Sequence, residues 1–85
     1  MSQPLHWIPV DASAGGFSTE RAIALKLADG RKVSLFADKD LLKEESNRTF
    51  LQVTLVRSFP NEKKELVLLP TEAFETASPW AEIAT

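Results

Sequence analysis

The chain has 85 residues, 10 of them Lys or Arg and 12 Asp or Glu, which predicts one small domain over residues 1–85 with a net charge of −2. A dedicated nucleic-acid binder usually has a basic excess, because neutralising phosphates supplies much of its affinity. One histidine and no cysteine exclude disulfides and leave too few ligands for structural zinc. Apolar runs fall short of the roughly 20 residues that cross a bilayer, and residues 1–7 lack the features of a secretory signal, so we expect a cytoplasmic protein.

The first predicted elements are a short strand and a flexible loop. Residues 5–10 are rich in β-favouring side chains, and Pro9 makes this segment an edge strand or marks its end. Residues 11–16 are small or flexible and include two adjacent glycines, a composition typical of a loop.

A hairpin is predicted over residues 21–35, where apolar and polar side chains alternate on both sides of a turn. A three-residue loop over residues 28–30 pairs Leu25 with Val33 and keeps the apolar sets on one face, whereas a two-residue loop mixes core and solvent sides. The longer loop also places Gly30 in the left-handed position of a type I turn with a G1 bulge. The sequence therefore favours the three-residue loop and a positive φ at Gly30.

Residues 38–45 predict a short helix. Asp38 is a suitable N-cap, and Asn47 can adopt the left-handed conformation where the helix ends. A helix of about two turns is not stable alone, so Leu41 and Leu42 are expected to pack it on the sheet.

A second hairpin is predicted in the following segment. Residues 49–59 alternate as a strand, residues 60–64 form a polar turn, and residues 66–69 form a strand that is apolar on both faces and therefore central or covered. Pro70 is expected to end this strand.

The C-terminal segment is less clearly patterned. Residues 71–75 are typical of a helical turn with Thr71 as its N-cap. Residues 78–83 fit either a helix that begins with Ser-Pro or a closing strand.

These elements predict a mainly β fold with short helices, namely a small curved antiparallel sheet or a closed small barrel built from two successive hairpins. Pairing of consecutive strands favours a meander. The alternation assigns one shared core to six residues: Leu25, Val33, Leu35, Leu51, Val53 and Leu55.

The sequence gives little indication of catalysis or of a cofactor. His6 is the only histidine, and no nucleophile motif accompanies it, so we interpret it as a strand residue partly in solvent. The acidic pairs Asp38/Asp40 and Glu44/Glu45 are local to the predicted helix and are explained by capping and a solvated face. Calcium-loop and phosphate-loop patterns are incomplete, so no metal and no cofactor is predicted.

Candidate binding residues come from the turns and from out-of-phase aromatics. A meander brings the two hairpin turns to one end of the sheet, where acidic neighbours offset most of the basic charge. Phe36 and Phe50 are out of phase with the core positions, which favours an exposed patch or contact with a second layer. Trp7 and Trp80 either close the ends of the core or anchor an interface.

The leading hypothesis for function is a non-catalytic protein-interaction or adaptor module with a protein partner. The alternative is a small nucleic-acid-binding barrel, and a small enzyme or an accessory subunit comes third. Partner identity and oligomeric state stay open. The candidate surface consists of aromatic and basic side chains: Phe36, Phe50, Trp80, Arg31, Lys32, Lys63 and Lys64.

Overall fold

The computed structural model describes residues 5–85, which form an antiparallel sheet curled into a half-barrel. Residues 1–4, part of the segment considered for a secretory signal, lie outside the described residues. Two 3-10 helices, Lys39–Leu41 and Pro60–Glu62, lie between strands. The strands in chain order are β1 (His6–Ala14), β2 (Glu20–Lys26), β3 (Lys32–Asp38), β4 (Leu42–Glu45), β5 (Arg48–Phe59), β6 (Lys64–Ala73) and β7 (Ser78–Ala84).

The predicted fold class is confirmed, but the simple meander is wrong. Strands lie in the order β3-β2-β1-β5-β6-β7, with β4 also paired to β5. The predicted hairpins are present as β2–β3 and β5–β6. The first strand joins them, because residues 6–10 pair with β5 and residues 11–14 pair with β2.

This central position corrects two predictions for β1. Residues 11–14 continue the strand because they pair with β2, so the loop covers residues 15–19 and not 11–16. The strand is not at an edge, although it contains Pro9. Proline removes a ladder donor, and it is tolerated here where β1 pairs with β5 and its ladder with β2 has not yet begun.

The β2–β3 hairpin has the predicted register and turn. Leu25 pairs with Val33, and Ile23 pairs with Leu35. Gly30 has a φ of 94°, and its N–H donates to the carbonyl oxygen of Leu27 at 2.9 Å. The three-residue loop is therefore confirmed.

The predicted helix over residues 38–45 is wrong after its first turn. Asp38 is the N-cap, as predicted, and its side chain accepts the N–H of Asp40, but the 3-10 helix that follows ends at Leu41. Residues 42–45 are β4, whose four residues pair with the start of β5. The hairpin pairing with β5 overrides the weak helix preference of this polar segment.

The turn between β4 and β5 accounts for the local signals that predict a helix end here. Ser46 and Asn47 have φ of 51° and 65°, and two successive left-handed residues are typical of a type I′ hairpin turn. Asn47 is left-handed, as predicted, but it follows a strand instead of a helix. Leu41 and Leu42 pack against the core, as predicted.

Two predictions for the segment after residue 69 are wrong. The strand does not end at Pro70, and residues 71–75 do not form a helical turn, because this segment belongs to the β6–β7 hairpin. Strand β6 continues to Ala73, and the pairing register with β7 shifts between Leu68 and Ala73. Pro70 lies in this irregular stretch, where no regular ladder requires its missing N–H. The closing-strand alternative for residues 78–83 is confirmed, since they lie in β7.

One core lies on the concave side of the half-barrel. Five of the six predicted core residues are buried, and Leu51 is fully enclosed at 0% exposure. The prediction for Leu55 is wrong, because 40% of this residue is exposed. Strand β1 begins at His6, opposite Val53, and a bulge follows Leu55, so the β1–β5 ladder does not extend beside Leu55.

Candidate interaction surface

The two ends of the curled sheet meet where β3 lies beside the β6–β7 loop. The backbone N–H of Phe74 donates to the carbonyl of Ser34 at 2.8 Å. Glu75 accepts both the N–H and the hydroxyl of Ser34, each at 2.6 Å. Thr71 donates its hydroxyl to the carbonyl of Phe36 at 3.0 Å. These hydrogen bonds give the outside of this junction a defined shape.

Glu75 is electrostatically adapted to this role. The hydroxyl of Ser34, followed by its backbone N–H, lowers the pKa of Glu75 below its ordinary value. The ionised carboxylate is therefore the form that holds the β6–β7 loop against β3.

Two phenylalanines pack against each other on the outside of the junction. The rings of Phe36 and Phe74 have centroids 5.4 Å apart and an interplanar angle of 78°, an edge-to-face arrangement. Nevertheless 41% of Phe36 and 64% of Phe74 remain exposed. The pair is ordered by mutual contact without being covered by the rest of the chain.

Trp80 adds a third exposed aromatic on β7. It is 52% exposed and pairs with Leu68 of β6, so apolar side chains continue across these two strands. The backbone N–H of Trp80 donates to the hydroxyl of Ser78 at 3.1 Å. Trp80 lines a groove of about 230 Å³ with Arg31, from the β2–β3 turn, and Thr76, from the β6–β7 loop. We call Phe36, Phe74 and Trp80 the aromatic seam, because all three flank the meeting line of the two sheet ends.

Carboxylates already accompany two of the four predicted basic residues. The Nε atom of Arg31 donates to Asp29 at 2.7 Å, and the Nζ atom of Lys64 lies 3.2 Å from Glu82 and 3.6 Å from Glu62. Hydrogen bonding to Glu82 is the main reason why the pKa of Lys64 is raised. The backbone and side chain of Arg31 lower the pKa of Asp29.

The other two basic candidates form no ion pair among the described residues. Lys32 is exposed and lies directly opposite Lys26 in the β2–β3 ladder. Lys63 is exposed in the β5–β6 turn with a left-handed φ of 53°. The strand directions place both turns at one end of the sheet, as predicted.

Phe50 belongs to a different face from the aromatic seam. It is half-buried on β5, opposite Pro9 of β1 and Lys43 of β4. The guanidinium of Arg48 lies 5.9 Å from the ring centroid of Phe50. Trp7 is half-buried nearby, with the ammonium group of Lys43 4.5 Å from its ring centroid. These rings are partly covered by cationic side chains of the same chain.

The single histidine of the sequence is paired with a carboxylate. The Nε2 atom of His6, on β1, lies 2.5 Å from Glu65, on β6, and 27% and 13% of the two side chains are exposed. Within residues 5–85, no group of three or more His, Cys, Asp or Glu side chains is placed to hold a metal ion. The same residues contain no helix of the length and apolarity needed to cross a membrane.

A larger groove, open to solvent, lies beside the loop between β1 and β2. Its volume is about 710 Å³, and it is lined by small residues of β1 together with Arg21, Thr49 and Phe17. The Nη1 atom of Arg21 donates to the carbonyls of Ser18 and Glu20 at 3.1 and 2.9 Å. This guanidinium therefore holds the loop. Lys39, Lys43 and Glu44 also line the groove.

Comparisons with protein-family models, with curated proteins and with solved structures found no match. The site must therefore be interpreted from its own geometry. Sequence reasoning identified Phe36, Trp80 and Arg31, which the fold brings to the junction, but it missed Phe74. The only signal for Phe74 was an aromatic residue in a polar segment, and its partner across the junction is 38 positions away in the sequence.

Proposed function

We propose that the chain is a non-catalytic protein-interaction module that binds a protein partner through the aromatic seam. The observation that carries this proposal is that three large aromatic side chains, each 41–64% exposed, flank one junction. Isolated exposed apolar residues are normal on proteins, whereas a group of exposed aromatics is typical of an interface.

The fixed geometry of the seam supports binding. Phe36 and Phe74 already restrict each other, and the hydrogen bonds of Ser34 fix the loop that carries Phe74. A partner that covers these rings therefore gains buried apolar area with a small loss of side-chain entropy. Trp80 adds an indole beside a groove, and tryptophan is enriched among residues that dominate binding energy.

A protein partner fits the surface better than nucleic acid. Phosphate contacts require free cationic groups, and Arg31, the cation that lines the groove beside Trp80, is paired with Asp29. Phe74 is also followed by Glu75, an acidic group that repels phosphates. The small barrel with a nucleic-acid ligand is therefore the second choice.

The test compares the tagged chain with three alanine variants in capture from lysate of the source cells. We expect a protein that the native chain retains, that Trp80→Ala and Phe74→Ala lose, and that Phe17→Ala retains. Phe17 is the matched control, because it is 73% exposed but belongs to the β1–β2 loop. Circular dichroism must show that all variants remain folded. Equal loss with Phe17→Ala, or undiminished capture by both seam variants, would contradict the proposal.

A second measurement separates protein from nucleic acid. Retention on immobilised single-stranded DNA and RNA is measured over a range of salt concentrations. Binding that weakens steeply with salt, and that is lost in Trp80→Ala, would favour nucleic acid over protein as the ligand of the aromatic seam. We expect no such retention at physiological salt.

A further inference from the structure

The outer face of the β2–β3 hairpin has an ordered charge pattern that the proposed function does not use. Alternation places every second residue of each strand on this face, and the ladder sets them directly opposite one another. Along the hairpin the four cross-strand rows are Glu20–Asp38, Ala22–Phe36, Ala24–Ser34 and Lys26–Lys32. We call these eight residues the hairpin outer face.

Both ends of this face contain like charges in direct opposition. Glu20 pairs with Asp38 at one end, and Lys26 pairs with Lys32 at the other. Like charges directly opposite each other destabilise a β ladder. Among the described residues, none of these four side chains takes part in an ion pair within the chain. The chain therefore contains two unfavourable pairs of opposite sign, about 20 Å apart at the usual rise per residue.

The centre of the face suits close packing. Ala22 and Ala24 are half-buried and small, and Phe36 projects beside them with 41% of its surface exposed. Ser34 directs its hydroxyl to Glu75. The centre has one projecting ring beside small side chains, with Phe74 and Glu75 of the β6–β7 loop next to β3. It can receive the same ring from another sheet, since facing sheets pack about 10 Å apart.

We propose that the hairpin outer face binds a second copy of this chain in a two-fold symmetric dimer. A two-fold axis that lies across the strands, midway between the two central rows, reverses the strand direction of the second copy. It sets Glu20 against Lys26 of the second copy and Asp38 against Lys32 of the second copy. Such an isologous contact makes each pairing twice.

The central residues satisfy the same symmetry. The axis places Phe36 over Ser34 of the second copy and Ala22 over Ala24 of the second copy, so each projecting ring lies over a small residue. The occupant is a second copy because the face is complementary to itself: the order of charges along it, acidic, neutral and basic, is its own complement when reversed. A foreign partner would have to reproduce this order.

The size of the face limits the affinity. Two seven-residue strands cover less area than the roughly 800 Å² per partner of a standard interface, so the dimer belongs to the weak and reversible class. This inference goes beyond the proposed function, and Phe36 is the only residue that the hairpin outer face and the aromatic seam share. Self-association needs no foreign protein, so its test is independent of partner capture.

Sedimentation equilibrium of the purified chain, extended to millimolar concentration at low and physiological salt, measures the association. We expect a reversible dimer that weakens with salt. Lys26→Glu with Lys32→Glu makes the face wholly acidic, and Glu20→Lys with Asp38→Lys makes it wholly basic. Each double variant should raise the dimer Kd about tenfold or more, because like charges then meet across the interface. An equimolar mixture of the two should restore association as a mixed dimer.

The matched control is Lys63→Glu with Arg57→Glu, which changes net charge by the same amount as the acidic double variant, at exposed positions outside the hairpin outer face. This variant should dimerise as the native chain does, and so should Trp80→Ala. Circular dichroism verifies that each variant is folded. A monomeric native chain at millimolar concentration, a native Kd in both face variants, or a mixture that fails to associate would overturn the proposal. Loss of a foreign partner by the face variants, with a monomeric native chain, would also overturn it.

Discussion

The β2–β3 and β6–β7 hairpins both use a left-handed residue in their connection, but only the first has glycine there. Gly30 has a φ of 94°, and Ala77 has a φ of 51°. The backbone N–H of Ala77 closes the second loop by donating to the carbonyl of Ala73 at 2.8 Å. Left-handed backbone is unstrained for glycine and costs an alanine about 1–2 kcal/mol. The second turn therefore needs support from elsewhere in the molecule.

The two hairpins obtain their stability from different sources. The β2–β3 ladder is regular over residues 20–26 and 32–38, whereas the β6–β7 ladder shifts between Leu68 and Ala73. The irregular hairpin is held instead by β3, through the bonds of Ser34 with Phe74 and Glu75. Long-range contacts therefore stabilise the connection that local sequence signals do not specify. The same irregular hairpin carries two of the three seam aromatics.

Truncation of the most deeply buried leucine should have the greatest effect, and it tests whether the two hairpins form one cooperative unit. Leu51 lies on β5 and is 0% exposed, and Leu51→Ala should cost about 2–5 kcal/mol of unfolding free energy. Urea unfolding measures the cost. The protection of amides against hydrogen exchange should fall together in both hairpins. Leu55→Ala, on the same strand but 40% exposed, is the control and should cost much less. A loss under about 0.5 kcal/mol for Leu51→Ala, or separate unfolding of the hairpins, would break the shared-core view.

The next effect tests the self-contained turn. Gly30→Ala should cost about 1–2 kcal/mol, because the backbone is left-handed. No heavy atom lies within 4 Å of the added Cβ, so steric contact adds nothing to this cost. Thermal unfolding measures it, and Gly30→Asn should lose less because asparagine tolerates this conformation. Equal stability of Gly30→Ala and the native chain would show that the turn does not require the left-handed residue.

The mirror change tests the supported turn. Ala77→Gly should raise the unfolding free energy by less than about 1 kcal/mol, since relief of the left-handed strain exceeds the added entropy of the unfolded chain. Ala84→Gly, in strand β7, is the control and should be destabilising. A loss of stability in Ala77→Gly would mean that the support from β3 already removes the strain.

Much of the fold follows from alternation and turn chemistry. The register of Leu25 with Val33, the left-handed Gly30 and the strand over residues 49–59 were predictable because neighbouring residues determine them. The exposure of Leu55 was not predictable, since it depends on where β1 begins and on a bulge in β5. Long-range pairing decides such positions, and one sequence does not display it.

The same limit applies to the candidate surface. Phase alone indicated that Phe36 leaves the core, and Trp80 was one of two possible interface anchors. Phe74 joins them only because the sheet curls until β3 meets the β6–β7 loop. Carboxylates accompany Arg31 and Lys64 of the basic candidates, and Glu82, the partner of Lys64, comes from β7, a strand whose existence the sequence left open.

The smallest expected effect uses acid to separate the two hairpins. The pKa of Asp29 is lowered by Arg31 within its own turn, whereas the pKa of Glu75 is lowered by Ser34 on a distant strand. For Glu75, the stabilisation is present above its ordinary pKa of 4.5 and is lost as the pH falls through the lower folded value.

Titration followed by NMR should therefore move the amide of Ser34 with a midpoint below 4.5, together with the amide of Phe74. Protonation of Asp29 should move only signals of the β2–β3 turn. Glu75→Gln should remove the acid response at Ser34, and Ser34→Ala should return the pKa of Glu75 toward its ordinary value. A Ser34 amide that titrates at or above pH 4.5 would show that the carboxylate does not hold the loop in solution. The β6–β7 hairpin would then need another source of support, and the fixed position of Phe74 in the aromatic seam would lose its explanation.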